Sequence, residues 1–387
     1  MRRLTAINFI NHFFWAAIVI TLPLYLIEKD IDVEEIGLIL AVIPLMMVGL
    51  RTFMAMLSDT VGLRIFFVWQ GICQAAAAAC YVIAKTPLQF AAGKAFEGGS
   101  YSLFWAVDRT AIYENARRKD IAAAQMSYVR MIAAALGLGL AGFAASIVPF
   151  DSIYVGLAML GLVTVVLGFA RHESGLKREK KPLLRTLHLE EKKAEFWEAS
   201  IALGLNIVYF SMLFVFLLPV FMDLVMAYDY AEIGFLLMLF YACMGAGAYV
   251  ATKMDLSEAR TYFFQLIALP CMVFMPYSPQ FFAPLLLIAA FGIGVSGAMF
   301  EELVARVTDR EKDLSTSIAI LHVPGRVFEF VGLALAGFIY AMMGSEAVFA
   351  LCAILMLGFV VLMKDVLDKL DKEARVVKSG GVPVQPE

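Results

Sequence analysis

Apolar runs long enough to cross a lipid bilayer follow one another from residue 4 to residue 364. A spanning helix needs roughly 17–25 predominantly apolar residues. Twelve such runs are read from the sequence: 4–27, 35–57, 65–84, 88–107, 122–147, 152–171, 197–222, 231–252, 261–277, 281–302, 315–343 and 346–364. Backbone inside a bilayer must satisfy its own hydrogen bonds, so runs of this length are helices. Barrel strands would be about 10 residues long with alternating polarity, and no run alternates that way. The fold class is an all-α membrane protein with twelve transmembrane helices. Composition agrees, because 17% of the 387 residues are charged where a soluble domain carries about 25%.

The runs come in two copies. Gly137-Leu-Gly-Leu-Ala-Gly-Phe143 returns 195 residues later as Gly332-Leu-Ala-Leu-Ala-Gly-Phe338. Glu35-Ile36-Gly37 returns 197 residues later as Glu232-Ile233-Gly234. Two echoes in one order at nearly one offset mark homologous halves. Six runs precede the polar stretch 171–196 and six follow it. An even number per copy gives both copies the same orientation, so the bundles are parallel and pseudo-symmetric about the membrane normal. The expected organisation is a six-helix bundle over 1–171, a cytoplasmic linker over 172–196, a second bundle over 197–364 and a cytoplasmic tail over 365–387. A doubled membrane unit places its working site between the copies.

Charge fixes the expected orientation. Alternating the loops from an inner N-terminus leaves only Lys29 and Lys85 outside, while Arg64, Arg109, Arg117, Arg118, Lys253, Arg260, Arg306, Arg310 and the basic linker fall inside. That is the positive-inside pattern, and it predicts a multi-pass protein of the cell membrane with both termini cytoplasmic. The first run is too long for a signal-peptide core and lacks a small-residue cleavage site after Pro23, so it is read as a retained span. The net charge of −3 gives no sign of nucleic-acid binding. Cys73, Cys80, Cys243, Cys271 and Cys352 all fall inside spans and read as apolar packing, with neither disulfide nor metal spacing. No nucleotide-binding loop and no metal or cofactor site is read.

The second and third runs are joined by Ala55-Met-Leu-Ser-Asp59-Thr-Val-Gly62-Leu-Arg64. This resembles the helix 2–3 loop of the major facilitator superfamily, Gly-x-Leu-Ala-Asp-Arg-x-Gly-Arg-Arg/Lys. Asp59, Gly62 and Arg64 match the acid, the turn glycine and the distal base, while Ala55, Thr60 and Leu63 depart. Lys94-Ala-Phe-Glu97-Gly98 similarly resembles the family's Arg-x-x-Gln-Gly. Gly137-x-Gly139-x-x-Gly142 lies where the family's antiporters carry Gly-x-x-x-Gly-Pro, without the Gly-Pro. The resemblance implies two six-helix bundles exposing a central cavity alternately to either side, with helices 1, 4, 7 and 10 as its walls. It also implies a latch: Asp59 at the N-terminus of the eleventh helix, where a carboxylate is favoured by about 0.3–1 kcal/mol, with Asp108 and Arg109 joining Arg64 in an inner charge cluster.

Ionisable groups inside spans are costly and face protein or water. On the fourth run Lys94, Glu97, Tyr101, Trp105 (or Phe104) and Asp108 share one helical face. Asn8, Asn11, His12 and Trp15 offer a similar face on the first, Asn206, Tyr209 and Phe210 on the seventh, and Phe291, Met299 and Glu302 on the tenth. Lys94 and Glu97 are expected in the cavity, or as a self-neutralising pair. Arg130 and Arg326 precede the two glycine motifs at near-equivalent places. They read as paired anion ligands, or as groups that satisfy helix-end carbonyls or an inter-half salt bridge, such as Arg326 with Glu329. Glu97 is the first candidate for a proton-linked group, and Glu302 or Glu329 the next.

The expected function is secondary transport of a small solute, an organic anion or drug-like molecule, by a monomer coupled to protons. Alternatives are an uncoupled facilitator, or a sensor or scaffold with the same fold. A membrane enzyme would need clustered Asp or His at a bilayer face, and none is read.

Overall fold

A computed structural model describes residues 2–115, 119–170, 192–253, 259–308 and 314–378. Among these, twelve helical units follow one another. The first half holds α1 (Arg2–Glu28), α2 (Val33–Val61), α3 (Arg64–Ile83), α4 (Pro87–Asn115), α5 (Lys119–Ala145) and α6 (Phe150–Phe169). The second half opens with α7 (Ala194–Leu224) and α8 (Tyr230–Ala251). Next is α9, in two pieces (Ala259–Leu266 and Ala268–Phe274), then α10 (Phe282–Thr308), α11 (Leu314–Met343) and α12 (Ser345–Lys378). Of the expected linker only 192–196 are described, and of the expected tail the residues up to 378. Helix α12 runs to Lys378, past the expected span end at 364.

Ten of these units are apolar and long enough to cross a membrane. The other two are α4, which carries Lys94, Glu97, Asp108 and Arg109, and the broken α9. The apolar surface is turned outward, as a bilayer requires. On α6 the face bearing Tyr154, Leu157, Gly161 and Thr164 is buried, whereas Val155, Met159, Leu162 and Val166 are exposed.

Local chemistry sets the ends. Gly62 closes α2 at φ +98°, a backbone region that favours glycine, and Arg64 then starts α3. Helix α8 opens with a capping box: Asp229 accepts from the Glu232 amide at 2.7 Å, and the Glu232 carboxylate accepts from the Asp229 amide at 3.0 Å. Asp32 holds the equivalent place before α2 with no side-chain cap bond. The backbone repeats more faithfully than the side chains here, since Asp30 (φ 55°) and Ala227 (φ 53°), also 197 apart, are both left-handed.

Within the first half α3 packs on α6 and α4, α2 on α4, and α1 on α5; within the second, α8 packs on α10 and α7 on α11 and α12. The halves meet along two seams, α2 with α11 and α5 with α8. The helix end carrying loops 29–32, 146–149 and 225–229 is closed at both seams by glycine. A methyl built on Gly37 would stand 2.7 Å from the Leu333 carbonyl oxygen and 3.0 Å from the Gly337 nitrogen. At the end carrying the termini, an ionic brace ties the second half together. Lys369 of α12 reaches Glu198 of α7 at 2.7 Å and Asp365 at 2.8 Å, and Arg306 of α10 bridges Asp371 at 2.7 Å and Glu302 at 2.6 Å.

Candidate functional site

A cavity of about 320 Å³ lies between the halves. Helix α1 gives it His12 and Trp15, α4 Tyr101 and Trp105, α7 Asn206 and Phe210, and α11 Arg326 and Glu329. These are expected residues, brought together from both halves. Ile43 and Met47 of α2, Ile207, Ser211 and Val215 of α7, Tyr241 of α8 and Phe300 of α10 complete the wall.

Helix α7 is π-helical over Ser211–Leu217. A π segment adds a residue to the turn and shifts the helical phase, and such segments cluster at functional sites. Ser211, the first residue of the segment, donates to Glu329 Oε1 at 2.6 Å. The other carboxylate oxygen of Glu329 accepts from Arg326 Nη1 at 2.5 Å. Arg326 Nε and the Tyr101 hydroxyl are enclosed without a hydrogen-bond partner.

Much of the remaining wall is aromatic, with Phe214 buried behind it. Trp15 meets Tyr241 edge-on at 6.0 Å between ring centroids and Phe214 at 6.2 Å, and Phe214 stacks on Phe210 at 5.3 Å. Aromatic pairs at such spacings add about 0.5–1.5 kcal/mol each to the burial of their surface, so this wall is firm.

Other expected residues stand behind it. Lys94 and Glu97 are each 1% exposed and pair at 2.9 Å; the Tyr81 hydroxyl of α3 donates to the same Glu97 oxygen at 2.7 Å. Removing two charges from water is costly unless they are paired, and the pair turns towards α3 rather than the cavity. Asn11 also turns to α3, where its side-chain oxygen accepts from Gln70 at 2.8 Å and Gln74 at 3.1 Å. Tyr209 is buried beside Asn206, which donates to its hydroxyl at 3.2 Å. From α10, Met299 is buried, Glu302 is held by Arg306, and the Phe291 backbone lies against Gly247.

Asn8 belongs to a separate node. It donates to Asp108 Oδ1 at 2.7 Å and accepts from Arg130 Nε at 2.9 Å, while Arg130 also pairs with the other Asp108 oxygen. The guanidinium of Arg130 sits 5.1 Å from the Trp105 ring centroid, and His12 meets the same ring at 5.9 Å. The node therefore backs the α1–α4 wall of the cavity.

The expected inner charge cluster is divided. Asp108 is fully buried with Arg130 and Asn8 rather than beside Arg64, because only a buried cation offsets its desolvation. Arg64 is exposed and lies 5.7 Å from the Phe169 ring centroid. Arg109 faces Glu301 of the other half at 3.9 Å, with both side chains largely exposed. Asp59 falls within α2, and its side chain lies outside the described residues.

No curated protein matches the chain. Solved structures match its fold over nearly the full length. A mutant of the nucleoside transporter NupG superposes with a TM-score of 0.75 at 12% identity, over 94% of this chain and 98% of that one. The human organic anion transporter MFSD10 gives 0.67 at 15% identity, over 94% and 99%. A bacterial homologue of the human lysosomal transporter Spinster, inward-facing and occupied, gives 0.68 at 12% identity, over 99% and 98%. The family model of the Major Facilitator Superfamily matches residues 4–311. Twelve helices in two parallel halves, a cavity between them and this match make the chain a multi-pass membrane protein that belongs to the Major Facilitator Superfamily, a family of transporters rather than enzymes.

Proposed function

We propose that the chain carries a small organic solute, an organic anion or drug-like molecule, across the cell membrane by alternating access. One observation carries the reading: the cavity is walled by both halves, and the halves seal differently at its two ends. Bare backbone closes the loop end, while among the described residues a long ion pair, Arg109–Glu301, crosses the terminal end. With Lys and Arg concentrated on the terminal side, that side is cytoplasmic, and the structure is an inward-facing state. The bundles 1–171 and 197–364, joined through 172–196, rock against each other, and the tail continues α12 as far as Lys378. One chain encloses the whole cavity, so a monomer suffices.

Protons supply the driving force in this reading. Glu97 is the first site, because Lys94 and Tyr81 hold it in the bundle core with its second oxygen unpartnered. Glu329 is the second, since it lies on the cavity wall facing Arg326 and Ser211. The standing Lys94–Glu97 pair also favours a rival, an uncoupled facilitator in which Glu97 is static. Uptake by the purified chain in liposomes, with and without an inward proton gradient, separates the two. Accumulation only with the gradient supports coupling, equilibration alone supports the facilitator, and no movement of any solute overturns transport in favour of a sensor or scaffold.

A further inference from the structure

The geometry points to a solute that joins a flat aromatic ring to a carboxylate, its carboxylate docking on Arg326 and Tyr101. The inference rests on the transport reading above and narrows its substrate class. Glu329 takes only Nη1 of Arg326. The opposite edge of the guanidinium, Nε with Nη2, is the edge that meets a carboxylate side-on through two parallel N–H···O bonds. Nε is enclosed and unpartnered, as is the hydroxyl of Tyr101 across the cavity. A buried donor without an acceptor is costly, and this cavity carries one on each of two facing walls. A carboxylate has enough lone pairs to satisfy both. It would then connect α11 of the second half with α4 of the first.

Glu329 serves this site as a positioning residue. Ser211 fixes one of its oxygens at 2.6 Å, and the other fixes Arg326. Its charge also holds down the site's affinity, because it lies next to an incoming anion. The remainder of the solute meets rings: Trp15 and Tyr241 stand at 6.0 Å from each other beside the Phe210–Phe214 stack. Flat rings fit such a wall by stacking and edge contacts.

Equilibrium dialysis of the purified full-length chain tests this with three probes: indole-3-acetate, its neutral counterpart indole-3-acetamide, and cyclohexylacetate, an anion without an aromatic ring. Indole-3-acetate should bind at least about tenfold tighter than the amide, as expected for a charge-assisted contact, and severalfold tighter than cyclohexylacetate, as expected for the ring contacts. Arg326→Gln should lose that preference and Tyr101→Phe should weaken it severalfold. Glu329→Gln, whose amide oxygen can accept from Arg326 while its NH2 donates to the Ser211 hydroxyl, should tighten it. A merely structural Arg326–Glu329 pair would instead weaken binding in both variants, and that result overturns the site. Equal binding of all three probes, or binding of none, also overturns it. Equal binding of the three probes together with uptake of the cation ethidium into liposomes would remove the anion site and leave transport standing. Intact indole-3-acetate binding with no uptake or exchange of any solute would do the reverse.

Discussion

Gly142 of α5 and Gly234 of α8 meet backbone to backbone across the two halves. A methyl on Gly142 would stand 2.6 Å from the Gly234 Cα and 2.6 Å from the Tyr230 carbonyl oxygen. Gly37 and Gly337 form the same contact at the opposite seam, and a methyl on Gly337 would stand 2.5 Å from the Val33 carbonyl oxygen. The four residues belong to the two sequence echoes that reveal the duplication. The repeat is conspicuous because both copies build one closure.

Any side chain added at these seams should therefore work against the loop-end closure. Overpacking of this kind costs about 1–3 kcal/mol, which shifts a two-state equilibrium by roughly 5- to 150-fold. In a cysteine-less background with Phe210→Cys, the added Gly142→Val should raise the rate of modification by a membrane-impermeant thiol reagent applied from the loop side at least about fivefold. An unchanged rate would mean that this seam does not govern access.

The orientation is tested by labelling. Cysteines introduced at Lys29 and at Ser174 should react with impermeant reagents from opposite faces of the membrane, Ser174 from the cytoplasm. Reaction of both from one face contradicts the parallel twelve-span arrangement.

The terminal-end gate should respond to charge at two levels. Arg109 and Glu301 are exposed and 3.9 Å apart, and exposed pairs are worth about 0.2–1 kcal/mol. Arg109→Glu should slow transport about two- to fivefold, and Arg109→Glu combined with Glu301→Arg should restore it. Asp59→Asn should slow transport more strongly while solute binding persists, as expected if Asp59 acts on the conformational step. Normal turnover in Asp59→Asn would reduce the 55–64 segment to a turn.

Coupling separates from binding at Glu97. Glu97→Gln should abolish accumulation driven by a pH gradient yet leave solute counterflow, which needs no net proton movement. If the variant still accumulates solute on the gradient, the role passes to Glu329, and Glu329→Gln becomes the discriminating measurement.

Much of this molecule was legible in its sequence, and the exceptions share a cause. Apolar run length gave the spans, and Gly62 marked a turn that its φ of +98° requires. Helical periodicity collected His12 and Trp15 on one stripe with Asn8 and Asn11, but α1 is surrounded by neighbours on all sides. Which residue meets α3 and which meets the cavity depends on partners far along the chain: Gln70 and Gln74 for Asn11, Asp108 and Arg130 for Asn8. Lys94 and Glu97 were read onto the cavity face of α4, and Tyr81 of α3 is the partner that draws them behind it. Ser211 was missed because the partner that gives it a role, Glu329, lies 118 residues away in α11. Glu301 gave too little signal because its partner Arg109 lies in the other half.

The ionic brace of the second half has a practical consequence for handling this protein. Lys369 and Asp371 lie beyond the last spanning residue expected at 364, yet they tie α12 to α7 and α10. A shortened chain ending at 364 would keep every membrane crossing and lose the clasp that makes three helix ends move as one. Such a truncation is expected to insert normally but melt earlier, so purification tags belong after residue 378.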